Sequence, residues 1–367
     1  MIGSKMIVVD SSHPLVRRNL CFDPEHEYSG CGHAINVRLA REAALRGIDT
    51  VTADVYLAMS SHSEQAICLT DMITPLTENL LANGVQPTVC MSLESPLNAR
   101  NFYHHIARYA GRFRHNYQFR GTQSRLCATD TVFHPIVFPM ETRMPLPLQC
   151  WNERSYLILV NSNKRAVDLN WSSLKWMARS VASQVYFWGL QAVDPWMRVR
   201  EIYLDRILAI QHFSRYSDFS LYGLGWDRPI PVLNAVQAQL ARHVWAGPLE
   251  YSRKREVMSN FKFALCFENC VFPGYITEKI FDCLLSGCIP VYFGAPDISD
   301  FVPAQTFIDY RQFENYSDLD QFLRGMTETE ARRYLDTAHD FLASPAFDKF
   351  TVDYFINDIL NTIEQEF

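Results

Sequence analysis

The chain has 367 residues, which is too long for one hydrophobic core and predicts two domains. Apolar residues make up 48% and charged residues 20%, a balance typical of a globular protein. The formal net charge of −6 excludes the broad basic field that nucleic-acid binding requires, and no apolar run is long enough to span a membrane. We therefore expect no nucleic-acid partner and no integral membrane segment, and peripheral membrane association stays open.

The ten cysteines contain no C-x-x-C pair, which argues against a zinc site. Cys266, Cys283 and Cys288 lie in apolar runs and are expected to be small buried side chains. The first residues do not follow the order of a signal peptide, in which a charged segment precedes an apolar one. Together these features predict a reduced, cytoplasmic protein.

The first half of the chain alternates predicted strands and helices, a pattern typical of parallel sheets covered by helices. A strand is predicted at 6–10, and the segment 29–57 indicates a glycine-bearing loop, a helix through Arg46 and a second strand. The loop with Gly30 and Gly32 is either an anion cradle or a simple tight turn.

The pattern changes near the middle of the chain, where the proline-rich stretch 140–155 suits an interdomain linker. Before it, a predicted strand at 86–95 ends in Glu94-Ser95-Pro96. After it, the predicted elements are a helical region near 171–215, a helix at 280–287, and strands at 156–163, 218–226, 261–269, 288–294 and 306–310. We predict a first domain over 1–150, a second over 151–340, and a helical tail over 341–367, whose packing on the first domain stays open. The last residues, from Thr327 to Phe367, are predicted to be helical, with Pro345 dividing them.

This order predicts two doubly wound α/β halves with a cleft between them. In such sheets, ligands bind beyond the carboxyl ends of the strands. Glu94 and the segment 268–279 both follow predicted strands, so we expect them on opposite walls of that cleft.

The segment 261–296 carries a dense group of polar residues between a strand and a helix. Its strand ends at Glu268 and Asn269, and Thr277 is the predicted helix N-cap. Lys279 in the first helical turn opposes the helix dipole, which becomes favourable if an anion binds there. The alternative is a capped surface helix with an incidental lysine.

The same segment resembles the donor-binding signature of the alpha-1,3/4-fucosyltransferases, glycosyltransferase family 10. The matching strings are FKF (261–263), FEN (267–269), YITEK (275–279) and IPVYFGAP (289–296). Further likeness lies in Tyr222 with GLGW (223–226), Gly247, Lys254, SLESP (92–96) and RVREIYLDRI (198–207). Because the chain shows neither a transmembrane anchor nor a cysteine-paired tail, it is similar to the bacterial type.

The resemblance implies a GT-B fold of two Rossmann-like domains and an inverting transfer of L-fucose from GDP-fucose. The expected acceptor is an oligosaccharide such as a bacterial surface-polysaccharide precursor, with O3 of GlcNAc or Glc as the reacting hydroxyl and no cofactor or metal required. Inversion needs a base, for which Glu94 is the candidate. Arg200 and Lys279 would neutralise the leaving diphosphate, although Arg198 and Arg206 share the segment of Arg200.

The resemblance implies further roles at matching positions. Glu278 would hold donor-sugar hydroxyls or stabilise positive charge at the anomeric carbon, and Glu268 with Asn269 would bind ribose or brace the loop. The other expected donor-binding residues are Tyr275, Thr277, Tyr222, Gly223 and Lys254. Asp318-Leu319-Asp320 spells the D-x-D string of metal-dependent glycosyltransferases, but an exposed helix start explains it more simply, so we predict no metal site.

Several alternatives remain at this level. The same fold could use another nucleotide-activated deoxy sugar, or the chain could be a non-catalytic glycan-binding homologue. A glycan phosphorylase would need a pyridoxal-phosphate lysine, and no residue can be assigned to that role. Leu97-Asn98 replaces the serine and histidine that follow the glutamate-serine-proline motif in the family, which leaves the acceptor open.

Overall fold

The computed structural model describes residues 5–26, 31–127, 129–163, 199–227 and 235–367, together with the single residues 189 and 194. Backbone contacts divide the chain into two compact units. Unit 1 comprises Met1–Glu94, Ala99–Thr142 and Asp348–Phe367, and unit 2 comprises Ser95–Asn98 and Arg143–Phe347. The main boundary lies within the proline-rich stretch expected to be a linker, and the end of the chain belongs to unit 1.

The strands of the described residues follow in chain order. They are β1 (Met6–Asp10), β2 (Asp49–Thr52), β3 (Ala66–Thr70), β4 (Gln86–Met91), β5 (His115–Gln118), β6 (Val132–Pro135), β7 (Ser155–Val160), β8 (Arg200–Glu201), β9 (Phe219–Tyr222), β10 (Phe261–Phe267), β11 (Cys270–Val271), β12 (Ile289–Phe293) and β13 (Ile308–Asp309).

The α-helices of the described residues are numbered in the same way. They are α1 (Cys31–Leu45), α2 (Ala53–Leu57), α3 (Pro75–Ala82), α4 (Arg100–His104), α5 (Ile106–Tyr109), α6 (Gln123–Leu126), α7 (Tyr203–Phe213), α8 (Ala235–His243), α9 (Tyr251–Ser259), α10 (Glu278–Leu285), α11 (Tyr316–Gly325), α12 (Glu328–Ala343) and α13 (Val352–Glu364). None of these helices is long and apolar enough to cross a membrane.

The sheet of unit 1 is parallel and has the strand order β2-β1-β3-β4-β5-β6. β1 and β3 are buried along their whole length, as expected for inner strands of a sheet covered on both faces. The order reverses between β1 and β3, and ligands bind at such a switch point in open α/β sheets. The chain places Asp10, Asp71 and Glu94 at or just beyond the carboxyl ends of β1, β3 and β4.

Helix α13, formed by the last residues of the chain, packs on α1 within unit 1. Arg46 at the end of α1 donates hydrogen bonds to the side chains of Asn357 and Asn361. It also pairs with Glu364 at 3.1 Å. Pro345 begins a short 3₁₀ helix between α12 and α13, so it divides the helical tail as predicted.

The sheet of unit 2 is also parallel, with the order β13-β12-β10-β7-β9. Counted within each unit, the first five strands of both sheets follow the flavodoxin-like order 2-1-3-4-5 rather than the dinucleotide-binding order. Large aromatic side chains fill the core beside this sheet, among them Phe213, Phe219, Phe263 and Phe267. The reversal between β7 and β10 places Glu268 at the edge where a ligand is expected.

Most predicted elements are confirmed, with three differences. The predicted second strand ends at Thr52 and continues as α2, because Ala53 and Tyr56 lie three residues apart and are buried on one helical face. The strand predicted at 86–95 ends at Met91. Of the helical region near 171–215, α7 is observed, and the remainder lies almost entirely outside the described residues.

The exposure of the cysteine side chains tests the prediction that three of them are buried. Cys266, Cys283 and Cys288 are all buried, as predicted. Burial raises the pKa of the Cys266 thiol and that of the Cys288 thiol well above the ordinary value for cysteine. Both groups therefore remain neutral thiols at physiological pH. Cys21, Cys68, Cys90, Cys127, Cys150, Cys266, Cys270, Cys283 and Cys288 all carry free thiols.

Candidate active site

A fully buried carboxylate at the end of β10 organises the loop that follows it. Glu268 is 0% exposed, and it accepts a hydrogen bond of 2.9 Å from the backbone N–H of Thr277. It also pairs with Lys279, at 3.0 Å between Oε2 and Nζ. A Cβ at Gly294 would lie 2.5 Å from the Cγ of Glu268, so only glycine leaves room there. The FEN, TEK and FG strings therefore form one cluster, and these contacts support the bracing alternative for Glu268.

Thr277 occupies the N-cap position of α10, as predicted, but its side chain makes no capping hydrogen bond. The hydroxyl donates to Glu268 at 2.9–3.0 Å and accepts from Lys279 at 2.9 Å. A charged carboxylate is a stronger hydrogen-bond partner than a backbone amide, which explains why the hydroxyl turns away from the helix. The amides at the start of α10 are thus not capped by Thr277.

Lys279 is held in place as a charged group. Burial opposes its charge, but the carboxylates of Glu268 and Glu278 keep the pKa of Lys279 above its ordinary value. The pKa of Glu278 is lowered: burial opposes ionisation, and the charges of Lys279 and Lys254 outweigh it. Two of the three ammonium N–H groups of Lys279 are donated to Glu268 and Thr277, so one donor can be offered to an anion.

The predicted donor-binding residue Lys254 lies in a buried ion pair. Its Nζ is 2.6 Å from the carboxylate of Asp282, which is 1% exposed, and this contact joins α9 to α10. Burial opposes the charge on Lys254, yet Asp282 and Glu278 together raise the pKa of the lysine. Asp282 was not predicted as a functional residue, although an aspartate within the apolar run IFDCLL is a signal for a buried charged partner.

Two arginines of the segment 198–207 have different environments. Arg206 is 3% exposed and donates hydrogen bonds to the backbone carbonyls of Phe267 and Glu268 and to the side chain of Asn269. It therefore fixes the end of β10. A signal for this burial is that Arg206 lies on the same helical face as apolar residues of α7.

Arg200 is the more accessible arginine, since 62% of its side chain is exposed. It pairs with Asp205 at 3.0 Å, and its guanidinium lies 4.9 Å from the ring centre of Phe293. Arg198 lies outside the described residues. Of the two described arginines, Arg200 has the exposure that contact with a leaving phosphate requires.

The remaining donor-side residues border the same edge of the sheet. The side-chain amide of Asn269 donates to the hydroxyl of Tyr275, at 3.1 Å, and Tyr275 is 2% exposed. Tyr222 ends β9 and is followed by Gly223, which has a φ of +133°. A Cβ at Gly223 would lie 2.0 Å from the carbonyl oxygen of Asn161, so glycine is required where β7 and β9 end.

Glu94 lies in unit 1, and its side chain is exposed. Its backbone carbonyl accepts a hydrogen bond of 2.7 Å from the hydroxyl of Tyr103, which fixes the turn after β4. Glu94 lines a cavity of about 320 Å³ at the carboxyl ends of β1, β3 and β4. This cavity was not predicted, although aspartates at the ends of apolar runs, Asp10 and Asp71, are a signal for it.

The D-x-D string has the helix start that was predicted, at the beginning of α11. Asn315 caps the helix through hydrogen bonds from the backbone N–H groups of Ser317 and Asp318. The predicted exposure is wrong for Asp320, which is 8% exposed and accepts a hydrogen bond of 2.7 Å from Tyr156. Within the described part of the chain, no three His, Cys, Asp or Glu side chains are grouped to hold a metal ion.

Residues 204–344 match the model of Glycosyltransferase family 10 (fucosyltransferase) C-term. This segment lies in unit 2 and contains the cluster around Glu268 and Lys279. This part of the chain is therefore similar to the C-terminal domain of that family, and the resemblance recognised in its motifs is confirmed.

Two curated proteins are similar over short segments. The chain is 38% identical to alpha-(1,3)-fucosyltransferase FucT of Helicobacter pylori over 88 residues, 24% of this chain and 18% of that protein. It is 34% identical to GDP-fucose protein O-fucosyltransferase 3 of Xenopus laevis over 83 residues, 22% of this chain and 18% of that protein. The chain thus spans less than a fifth of the length of the curated relatives it matches.

Among solved structures, the chain is similar to Anabaena HepE, which was crystallised with UDP and glucose. The likeness covers 99% of this chain and 100% of that protein at a TM-score of 0.56 and 10% identity, so it concerns the fold alone. With the two parallel-sheet units, it confirms the predicted α/β class of GT-B type.

Proposed function

We propose that this chain is a bacterial-type fucosyltransferase that transfers L-fucose from GDP-fucose to a hydroxyl group with inversion at the anomeric carbon. The match to the family domain over residues 204–344 carries the proposal, because the FEN and TEK strings of that segment form one buried cluster. The names of both relatives, a fucosyltransferase and a GDP-fucose protein O-fucosyltransferase, support the same donor.

In the proposed reaction, Glu94 takes the proton of the acceptor hydroxyl while that oxygen forms a bond to the anomeric carbon. The bond from the anomeric carbon to the phosphate oxygen breaks, and GDP leaves with the electron pair. Lys279 and Arg200 stabilise the negative charge that develops on the diphosphate. Glu278 binds donor-sugar hydroxyls or offsets positive charge at the reacting carbon. No metal ion is required in this scheme.

The other residues of the cluster support these groups. Glu268 orients Lys279 and Thr277, and the pair of Lys254 with Asp282 holds α10 against α9. Asn269, Tyr275, Tyr222 and Gly223 border the nucleotide. Buried partners of this kind keep reacting groups in the productive geometry, and the burial of Glu268 favours this supporting role over direct contact with ribose.

We place the acceptor on unit 1, beside Glu94, with O3 of GlcNAc or Glc in a glycan as the expected hydroxyl. A protein hydroxyl is the alternative that the similarity to a protein O-fucosyltransferase favours. The free thiols of the described cysteines support a reducing compartment such as the cytoplasm.

A donor screen tests the proposal. The purified chain is incubated with GDP-fucose, GDP-mannose and UDP-glucose, with and without glycan acceptors, and nucleotide release is measured. We expect GDP release from GDP-fucose, and faster release when an acceptor is present. Turnover of a different nucleotide sugar would overturn the assignment of fucose, and tight binding of GDP-fucose without turnover would indicate a non-catalytic homologue.

A further inference from the structure

The two cations proposed to contact the leaving diphosphate both pair with carboxylates, and these carboxylates have different environments. Glu268, the partner of Lys279, is fully buried. Asp205, the partner of Arg200, keeps 17% of its side chain exposed, and in the described part of the chain Arg200 is the one cation that pairs with it. The charge of Asp205 is therefore balanced by the same guanidinium that is proposed to bind phosphate.

Arg200 is held at the edge of the sheet that carries the buried cluster. Its strand β8 pairs with β11, where Arg200 lies opposite Val271. Its guanidinium lies 4.9 Å from the ring centre of Phe293, which is within the range of a cation–π contact. The backbone carbonyl of Phe293 accepts a hydrogen bond of 2.8 Å from the N–H of Glu268. The guanidinium therefore lies over the end of β12, beside the proposed donor site.

Asp205 is held in place by its own helix. It lies in the first turn of α7, and its backbone carbonyl accepts a hydrogen bond of 2.6 Å from the hydroxyl of Tyr316. Its carboxylate accepts a hydrogen bond of 3.0 Å from the Nη2 of Arg200. A guanidinium has five N–H donors, so Arg200 keeps others to offer to a phosphate. We therefore expect the carboxylate to stay beside the guanidinium when a phosphate binds there.

The charge of Asp205 depends on Arg200. Burial raises the pKa of Asp205, and the positive charge of Arg200 opposes that shift. A diphosphate would draw on the same guanidinium and would bring like charge close to this carboxylate, where partial burial strengthens the repulsion. Asp205 thus orients the guanidinium, but its charge opposes the phosphate.

We propose that Asp205 is a positioning residue for Arg200 that also competes with the diphosphate for its guanidinium, and that this competition speeds the release of GDP after transfer. The inference rests on the proposed function, in which Arg200 contacts the leaving diphosphate. A purely structural role is the alternative, because an acidic residue in the first turn stabilises a helix through its dipole. That role predicts no gain in GDP affinity when the charge is removed.

Asp205→Asn tests the competition, because the amide keeps an oxygen for the guanidinium but loses the charge. Calorimetry measures the affinity for GDP, and displacement of a fluorescent GDP analogue measures the release rate. We expect GDP to bind about 2- to 5-fold more tightly, the usual effect of a partly exposed ion pair. The analogue should leave more slowly by a similar factor, because affinity changes appear mostly in the dissociation rate.

Three further variants assign the effect to the pair. Asp205→Glu restores the charge and should return affinity and release rate towards those of the unaltered chain. Asp205→Asn in an Arg200→Ala background should add little, because the contested guanidinium is gone. Asp336→Asn, at an exposed position of α12 in the same unit, is the matched control. An equal gain in affinity without Arg200 would overturn the inference that Asp205 acts through this arginine.

The same titrations separate the inference from the proposed function. If the unaltered chain binds GDP and Asp205→Asn binds it equally or more weakly, the inference is wrong while the donor assignment stands. A lower melting temperature together with unchanged GDP affinity would show that Asp205 only stabilises α7. If the unaltered chain does not bind GDP, the proposed function itself is contradicted.

Discussion

At the scale of single residues, the candidate site combines groups that react with groups that only hold them. Lys279 is oriented by Glu268, which has no exposed surface and cannot be solvated if its partner is removed. Glu94, in contrast, is exposed and stands beside a cavity. Replacing either kind of residue is expected to reduce activity, so each experiment needs a readout that separates a role in the reaction from a role in holding the site together.

Glu94→Gln tests the proposed base. The variant should lose about 10²- to 10⁴-fold in turnover, because the amide cannot accept the proton, and it should bind GDP with unchanged affinity. The measurement is GDP-fucose turnover combined with GDP calorimetry. Glu64→Gln, an exposed glutamate of the same unit, is the control. Near-normal turnover in Glu94→Gln would refute its role as base.

Lys279→Met tests the phosphate contact. GDP affinity should fall about 10- to 100-fold, as expected for a charge-assisted hydrogen bond of about 1.5–3 kcal/mol. Stability should also fall, because Glu268 then keeps a buried charge without its cation. The double variant Glu268→Gln with Lys279→Met should recover stability but not GDP affinity. Recovery of both would show that Lys279 acts only as a structural partner. Arg253→Ala, at an exposed position of α9, is a control.

At the scale of elements, a buried ion pair joins two helices of unit 2, and the terminal helix joins other elements of unit 1. The pair of Lys254 with Asp282 joins α9 and α10, and α10 begins at the predicted phosphate-binding residues. In unit 1, α13 lies on α1. Polar contacts also join α13 and the last residues of the chain to β5, the strand next to the edge strand β6. Both contacts connect residues that are distant in sequence.

Lys254→Met should destabilise unit 2 by about 3–5 kcal/mol, because it leaves the Asp282 charge buried and unpaired. Lys254→Met with Asp282→Leu should recover most of this loss, since an apolar pair can replace a buried ion pair. Urea unfolding measures the stability, and GDP calorimetry on the double variant measures the role of Lys254 as a donor ligand. Lost GDP affinity in a stable double variant would establish direct donor contact.

Unit 1 should lose stability in mild acid. His134 stacks on Tyr117 at 4.3 Å, and its Nε2 lies 3.1 Å from the Nδ1 of His115; burial and the nearby His115 lower the pKa of His134, although Asp358 opposes this. A histidine whose pKa is lowered by folding contributes fully above its unfolded pKa, about 6.5, and its contribution is lost as the pH falls below that value.

Urea midpoints at pH 7.5, 6.5 and 5.5 measure this effect. Stability should fall below pH 6.5 by up to about 1.4 kcal/mol per pH unit for one proton bound on unfolding. His134→Phe, which keeps an aromatic ring on Tyr117, should flatten the dependence, whereas exposed His243→Asn should leave it unchanged. An equally steep dependence in His134→Phe would assign the effect to other groups.

At the scale of the whole molecule, the proposed reaction uses side chains alone. The full chain is expected to keep its complete transferase activity in EDTA, because Lys279 and Arg200 take the place that a metal ion has in metal-dependent enzymes. The measurement is GDP-fucose turnover before and after chelation, with added Mg²⁺ and Mn²⁺ as controls. A strict metal requirement would contradict this mechanism.

Much of the fold could be predicted because strand–helix alternation and buried apolar runs are local signals. β1, β7, β10 and α10 were predicted near their observed positions. β3, β5 and β6 were not predicted. β6 in particular has two exposed and two half-buried residues, so its sequence lacks the buried pattern that identifies inner strands. The segment at α2 alternates as a strand would, and only burial of its helical face decided otherwise.

The sequence by itself determined the parallel α/β class and the family-10 motifs around Glu268 and Lys279. Only the tertiary structure decided which charges pair, that Arg206 is buried while Arg200 is exposed, and that the hydroxyl of Ser92 is buried without a hydrogen-bond partner among the described residues. The physical reason is the distance along the chain over which each effect acts. Periodicity and turn chemistry act between residues close in the chain, whereas burial and the choice of an ionic partner depend on packing between distant segments.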